Sequence, residues 1–394
     1  MQTVSDTRLP RLLYLSDVPV EATVGGAALL YRLLQNYPDP LKILEPYRLQ
    51  PPLEKRLPHI DYTTFYVGSD RLLHSRFTSL YQAYLLLIAR SRSQQFHQLI
   101  QSFQPEAILT VVAGFSWLTA AALAQQFQLP LHLIVHDDYQ DENLGWGMQN
   151  WLKHHLTKTY QYATSRLCIS PYMVECYEQR YGAIGTVLYP CQAADSSQFP
   201  HVPDRPPSRT SLVFVYAGSI NSQGYLAALI TLASVLKNWN SQLIIYSQIS
   251  EDFIERNGLN QSNITIRALL PVNQLILTLR HEADVLFVPM SFAERDRSNM
   301  ELSFPSKLTD YTAVGLPLLI WGPAYCSAAR WATENPGVAE VVMAEDREKL
   351  TIAVENLTDP AHRLRLGGQA LHQGRAYFSH AAITQLFYQS IAKS

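Results

Sequence analysis

The chain has 394 residues, too many for one ordinary hydrophobic core, and its 47% hydrophobic and 16% charged residues are the make-up of a folded protein rather than a disordered one. A formal net charge of -2 gives no overall drive toward nucleic acid. Cys168, Cys176, Cys191 and Cys326 form no CxxC pair and no zinc spacing, which fits a reducing, cytoplasmic setting.

The opening "MQTVSDTRLPRLLYLSDV" lacks the apolar run of a signal peptide, and "LLLIA" at 85–89 is far too short to cross a bilayer. The expectation is a soluble protein, at most peripheral on the inner face of a membrane. Short apolar, β-branched runs predict strands at 11–16, 41–44, 63–67, 107–113, 131–136, 166–170 and 186–189. Between them, 26–37, 116–128 and 171–182 read as helices, and 70–103 as a long amphipathic helical region with Arg71, Arg76, Arg90 and Arg92. That region has two readings: a helix packed on its own sheet, or one lying on an anionic bilayer.

Residues 192–210, "QAADSSQFPHVPDRPPSRT", hold four prolines and almost no large aliphatic side chain, the texture of an inter-domain linker. Strands resume at 212–217, 242–247, 264–267, 285–288, 317–321 and 339–342, with a helix through about residue 238 and final helices at 346–376, broken near Pro360, and 380–393. Continuous apolar strands alternating with helices predict parallel sheets covered on both faces. The domain expectation is therefore 1–195, a linker at 196–210, a second domain at 211–375, and a C-terminal helix at 376–394 that packs back toward the first. The fold class is α/β: two Rossmann-like, doubly wound domains facing across a cleft. Ligands of such sheets bind beyond the carboxyl ends of the strands, so function is expected in the strand-to-helix loops.

Four loops carry candidate chemistry. Gly25 and Gly26 open the first helix, either as turn glycines or as anion contacts at a helix N-terminus. His136 ends an apolar strand ahead of Asp137, Asp138, Asp141 and Glu142. It is a core histidine or a substrate contact oriented by a neighbouring acid, and the acids face solvent or hold a divalent cation. Gly218 and Ser219 follow the first strand of the second half, and Gly224 precedes a helix, where amides could meet a pyrophosphate. Last, "SFPSKLTDYTAVGLPLL" (303–319) starts a helix near Pro305. The Ser306 and Lys307 amides and the Lys307 ammonium would face an anion, and Asp310, one turn on, would accept hydroxyl hydrogen bonds from a ribose.

The run "PSKLTDYTAVGLPLL" resembles the P-x-K-x-x-E-Y-x-A-x-G-x-P-V-hydrophobic stretch of retaining glycosyltransferases of the GT-B fold, family-4 type. "VGG", "VH", "CISPYM", "LYP", "VYAGS" and "ADVLFVP" follow the family's order along the chain. The resemblance implies a transferase that moves a sugar, with retention, from a nucleotide-diphosphate sugar to a saccharide or lipid-linked acceptor, in bacterial cell-surface polysaccharide or glycan synthesis. It implies no cofactor and no metal, the nucleotide-sugar being a substrate, and no nucleic acid among the partners. Ser306, Lys307, Gly218 and Ser219 would hold the diphosphate, Asp310 the ribose, and Leu269 of "RALLP" the base, with His136 and Asp137 near the transferred sugar and Gly25 and Gly26 on the acceptor side. Three positions depart from the pattern. "GSINSQG" puts Ser219 and Gln223 where the family's G-R-x-x-x-x-K-G places an Arg and a Lys, Asp310 replaces a Glu, and Leu302, beside Glu301, stands where the upstream Glu of E-x7-E belongs. Arg295 and Arg297 are the expected replacements for the missing cations. The other functions compatible with the scaffold are a nucleotide-sugar 2-epimerase and a non-catalytic partner of an active transferase.

Overall fold

The computed structural model describes residues 8–22, 25–73, 75–139, 146–204, 211–220 and 222–392. Asp141, Glu142 and the end of the proline-rich stretch lie outside the described residues. Each strand read from the sequence is a strand. β1 (Leu12–Leu15), β2 (Leu41–Pro46), β3 (Asp61–Phe65), β4 (Ala107–Val111), β5 (Leu131–Val135), β6 (Ser165–Cys168) and β7 (Thr186–Val187) form a parallel sheet in the order β3-β2-β1-β4-β5-β6-β7. β8 (Val213–Ala217), β9 (Gln242–Tyr246), β10 (Ile264–Arg267), β11 (Val285–Pro289), β12 (Leu318–Trp321) and β13 (Ala339–Val342) form a second, in the order β10-β9-β8-β11-β12-β13.

Central strands β4, β5, β11 and β12 are buried along their whole length, which is why they read as unbroken apolar runs rather than alternating ones. Edge strand β10 alternates between half-buried and exposed. In the second sheet Phe214, Tyr216, Phe287, Leu319 and Trp321 join Leu229, Leu232 and Leu236 of helix Gln223–Leu236 in one core. In both sheets the chain steps outward from its first strand and then returns to that strand's other side. The order therefore reverses between β1 and β4 and between β8 and β11, the places where open α/β sheets leave a crevice.

The chain forms two compact units, 1–189 with 382–394, and 190–381. In the first, Tyr388 of the last helix, His380–Ile391, meets Tyr37 edge-on at 5.7 Å. The proline-rich stretch is not a free spacer over its described part. Arg280 covers the Phe199 ring at 4.0 Å and donates to the His201 carbonyl at 2.6 Å, and Arg375 donates to the Phe199 carbonyl. Two cations and an aromatic face thus strap residues 199–201 to the second unit.

Two further expectations change. The 70–103 region is not one helix but Asp70–Leu73, Thr78–Ala89, a 3-10 turn Ser91–Phe96 and His97–Phe103. The break falls at "RSRS", where Arg92 turns inward to donate to the Val67 carbonyl. The stretch that carries Arg295 and Arg297, for which no helix is read from the sequence, winds into a 3-10 turn, Glu294–Asp296, and helix Arg297–Leu302. Trp146–Tyr162, Glu251–Arg256, Val272–Glu282 and Ser327–Glu334 are helices the sequence reading passed over.

Candidate functional site

The switch point of the second sheet has Gly218 and Ser219 after one strand and Ser306, Lys307 and Asp310 on the helix that follows its neighbour. β8 leads to Gly218 and, through Ser222 as N-cap, to helix Gln223–Leu236; β11 leads to helix Lys307–Val314. Tyr311 fixes the second helix to the first strand. Its buried hydroxyl accepts from the Ala217 amide at 2.6 Å and donates to the Ala217 carbonyl at 3.4 Å, an anchor worth about 1 kcal/mol per bond. Gly315, in the left-handed region with φ 77°, ends the helix, and Arg280 donates to the Val314 carbonyl at 2.6 Å.

Lys307 folds back over the β8 loop. Its Nζ lies 4.8 Å from the centroid of the Tyr216 ring and 5.2 Å from that of Tyr225. A Cβ added to Gly218 would come within 3.6 Å of its Cε and 3.8 Å of its Nζ. The backbone at Gly218, with φ 141°, is one that side-chain-bearing residues rarely adopt, so glycine is required there for conformation, the contacts themselves being of ordinary length. Among the described residues no carboxylate pairs with the ammonium, and burial alone pushes its pKa down from 10.5 to about 8. Aromatic faces offset part of that cost. The Leu308 and Thr309 amides bond back to the Pro305 and Ser306 carbonyls, whereas those of Ser306 and Lys307 find no acceptor among the described residues. The cation and the two open amides belong to the same helix N-terminus, chemistry suited to an anion.

The remaining expectations for this unit fare differently. The Gly218 amide is already spent on the Tyr246 carbonyl at 2.9 Å and so does not meet an anion, while Ser219 is exposed beside it. Asp310 is half-buried, three residues beyond Lys307. Arg295 and Arg297 are not brought over the β8 loop. Arg297 covers the Tyr325 ring at 4.6 Å and lies 3.4 Å from Glu294, and Arg295 is exposed, 3.9 Å from Asp296. Leu269 is half-buried in the turn after β10, two strands away from β8.

In the first unit the structure joins two candidates the sequence kept apart. A Cβ on Gly26 would meet Cε1 and Nε2 of His136 at 3.1 Å, so the glycine lets the first helix approach the imidazole. Asp137 Oδ2 stands 3.3 Å from His136 Nε2, while His136 Nδ1 is buried and has no partner among the described residues. Burial lowers the His136 pKa against the opposing effect of Asp137, which keeps the ring neutral near pH 7. Gly25 has open space around it. Asp138 is structural: it accepts from Arg180 at 2.6 Å and from the Tyr177 hydroxyl at 3.3 Å. No group of three or more His, Cys, Asp or Glu among the described residues is arranged to hold a metal ion. Asp17, not singled out in the sequence, accepts from the Phe115 and Ser116 amides at 2.6 and 2.7 Å and so ties the β1 loop to the helix after β4. An acid one residue past a strand end is the signal that marks it.

No family model matches the sequence, and no curated protein matches it. Solved structures do. The chain is similar to HepE of Anabaena in complex with UDP and glucose, with a TM-score of 0.68 at 13% identity over 98% of this chain and 100% of that one. It is similar to a glycosyltransferase from Rickettsia africae, with a TM-score of 0.66 at 14% identity over 97% and 98%. An α,α-trehalose-phosphate synthase (UDP-forming) from Burkholderia vietnamiensis matches with a TM-score of 0.64 at 14% identity over 98% and 100%. Likeness at this level of identity shows the fold: two Rossmann-like units in one chain, the architecture of GT-B glycosyltransferases.

Proposed function

We propose that the chain is a glycosyltransferase that draws its sugar from a nucleoside diphosphate sugar. The observation that carries this reading is the Lys307 ammonium, buried, without a carboxylate partner among the described residues, and poised over two tyrosine rings at the switch point of the second sheet. A diphosphate leaving group gains charge as the glycosidic bond breaks. A cation and amide dipoles already in position stabilise that charge without reorganising. With no Arg or Lys in "GSINSQG" and Arg297 held by its own neighbours, Lys307 and the helix N-termini supply that charge. Asp310 is assigned to the ribose, and His136 with Asp137 to the acceptor side. Retention, a saccharide or lipid-linked acceptor, and a role in surface polysaccharide synthesis belong to this proposal. The comparison structures hold UDP, UDP with glucose, and UDP-glucose, which makes uridine the base to test first.

Calorimetric titration with UDP and UDP-glucose is the direct test, and absence of binding by uridine, guanosine and adenosine diphosphates alike would overturn the reading. The pH dependence adds a signature. A bound diphosphate raises the pKa of Lys307 again, so binding takes up a proton once the free protein has begun to lose it. Affinity is expected to be flat from pH 7 to about 8, where the diphosphate is already fully ionised, and to fall up to about tenfold per pH unit above that. Lys307→Met is expected to abolish this slope.

A further inference from the structure

We infer that the first unit carries a docking surface for an anionic lipid bilayer, built on helix Thr78–Ala89 and helix Trp146–Tyr162. The inference goes beyond the nucleotide-sugar reading and is tested without nucleotide.

Helix Thr78–Ala89 has two apolar faces. Leu85, Leu86 and Ala89 are buried, as a helix packed on its own unit requires. Opposite them, Leu80, Tyr84 and Leu87 stand at i, i+4 and i+7 with 73%, 54% and 54% of their surface exposed, and Phe77, just before the helix, is 50% exposed. Single exposed leucines are ordinary; four large apolar side chains in one stripe are not. The surroundings select the partner. Residues 71–105 contain no Asp or Glu, and neither do residues 143–174. Arg76 covers the Phe77 ring at 4.8 Å, and Arg90, at the other end of the helix, reaches His155 Nδ1 at 3.0 Å. That contact joins the stripe to helix Trp146–Tyr162, which exposes Lys153 and Lys158. Arg90, Gln125, His155 and Lys158 line a cavity of about 200 Å³, in which burial and the nearby cations hold His155 neutral, with a pKa of about 4. Its charge therefore comes from Arg90 and Lys158, the lining a headgroup phosphate needs.

An apolar stripe flanked by cations, with no acid in either sequence stretch, matches a bilayer that is oily within and negative at its surface. A second copy of the chain would set Arg76, Arg90, Lys153 and Lys158 against their own equivalents. Among the described residues no helix is long and apolar enough to cross a membrane, so the contact lies on the surface.

Co-sedimentation with vesicles of phosphatidylcholine alone, or mixed with phosphatidylglycerol, tests the inference on the full chain. Binding is expected only to the anionic vesicles and is expected to weaken as salt rises. Leu80→Asp with Leu87→Asp is expected to reduce it more than about tenfold, and Arg76→Ser or Lys158→Ser about fivefold each. All four positions are exposed, and circular dichroism is expected to be unchanged. Equal recovery with neutral and anionic vesicles, or full retention by the double leucine variant, would overturn the inference. So would a dimer in light scattering that the leucine variant dissociates while vesicle binding is absent.

Discussion

Replacement of Lys307 by methionine is expected to lower kcat/KM for the nucleotide-sugar by about a hundredfold to a thousandfold and, in the same variant, to raise the melting temperature. The two effects share one cause. In the free protein the ammonium has aromatic faces but no carboxylate partner among the described residues, and its pKa falls from 10.5 to about 8. A lysine whose folded pKa lies below its unfolded value binds its proton less tightly in the native state. It therefore costs stability in full below about pH 8, and the cost fades as pH rises toward 10.5. At neutral pH that amounts to at most about 3 kcal/mol, and methionine removes it while keeping most of the chain's bulk. The same change deletes the cation that would meet the leaving diphosphate, a loss of about 3–4 kcal/mol by analogy with other preorganised oxyanion contacts. Differential scanning calorimetry and initial rates on one preparation check both halves. A variant that loses activity and stability together would show that Lys307 holds the structure rather than the ligand.

The adjacent glycines of helix Pro360–Phe378 are expected to respond in opposite directions to the same substitution. A Cβ at Gly367 would lie 2.6 Å from the Gly315 carbonyl oxygen and 3.2 Å from its carbon, both backbone atoms of the turn that ends the Lys307 helix. Gly374, two turns on, meets Thr312 Oγ1 at 2.5 Å in the same way. The two helices approach this closely because Gly367 and Gly374 put no side chain at the points of contact. Gly367→Ala must push them apart, at a cost of about 3 kcal/mol, or about 10 °C in the melting temperature of the second unit. At Gly368 the nearest atom is Val202 Cγ1 at 4.0 Å, ordinary contact. Gly368→Ala therefore keeps only the helix-propensity gain of about 1 kcal/mol. Thermal melts of the two variants test the pair, and a destabilised Gly368→Ala would contradict the packing described.

The strands were legible because "AILTVVA" and "VLFVP" are uncharged, rich in β-branched residues and too short for a helix. Helix Lys307–Val314 was equally legible, with Pro305 before it and Gly315 after it. What escaped was set by contacts distant in sequence. Nothing near Arg280 or Arg375 shows that they hold Phe199, since both partners lie far along the chain. The Gly218 amide seemed open to an anion because the register that pairs it with Tyr246 is a property of the sheet. Arg295 and Arg297 are the expected replacement cations because "ERDRSN" is polar and lies just ahead of the Lys307 helix, yet Glu294 and Glu301, at helical spacing from Arg297, draw that side chain onto its own turn. Tyr311 was visible only as a residue of the motif; its hold on Ala217 takes a strand that begins almost a hundred residues earlier.

The strap at Phe199 and His201 also decides where the second unit can be cut as an autonomous piece. Val202 follows it onto the back of the Lys307 helix, its Cα 3.5 Å from where a side chain at Gly315 would begin. A truncation starting at Ser211, the natural choice if the prolines were mere spacer, would strip Arg280 and Arg375 of their acceptors on the strap and uncover that surface. A piece spanning 190–381 keeps it.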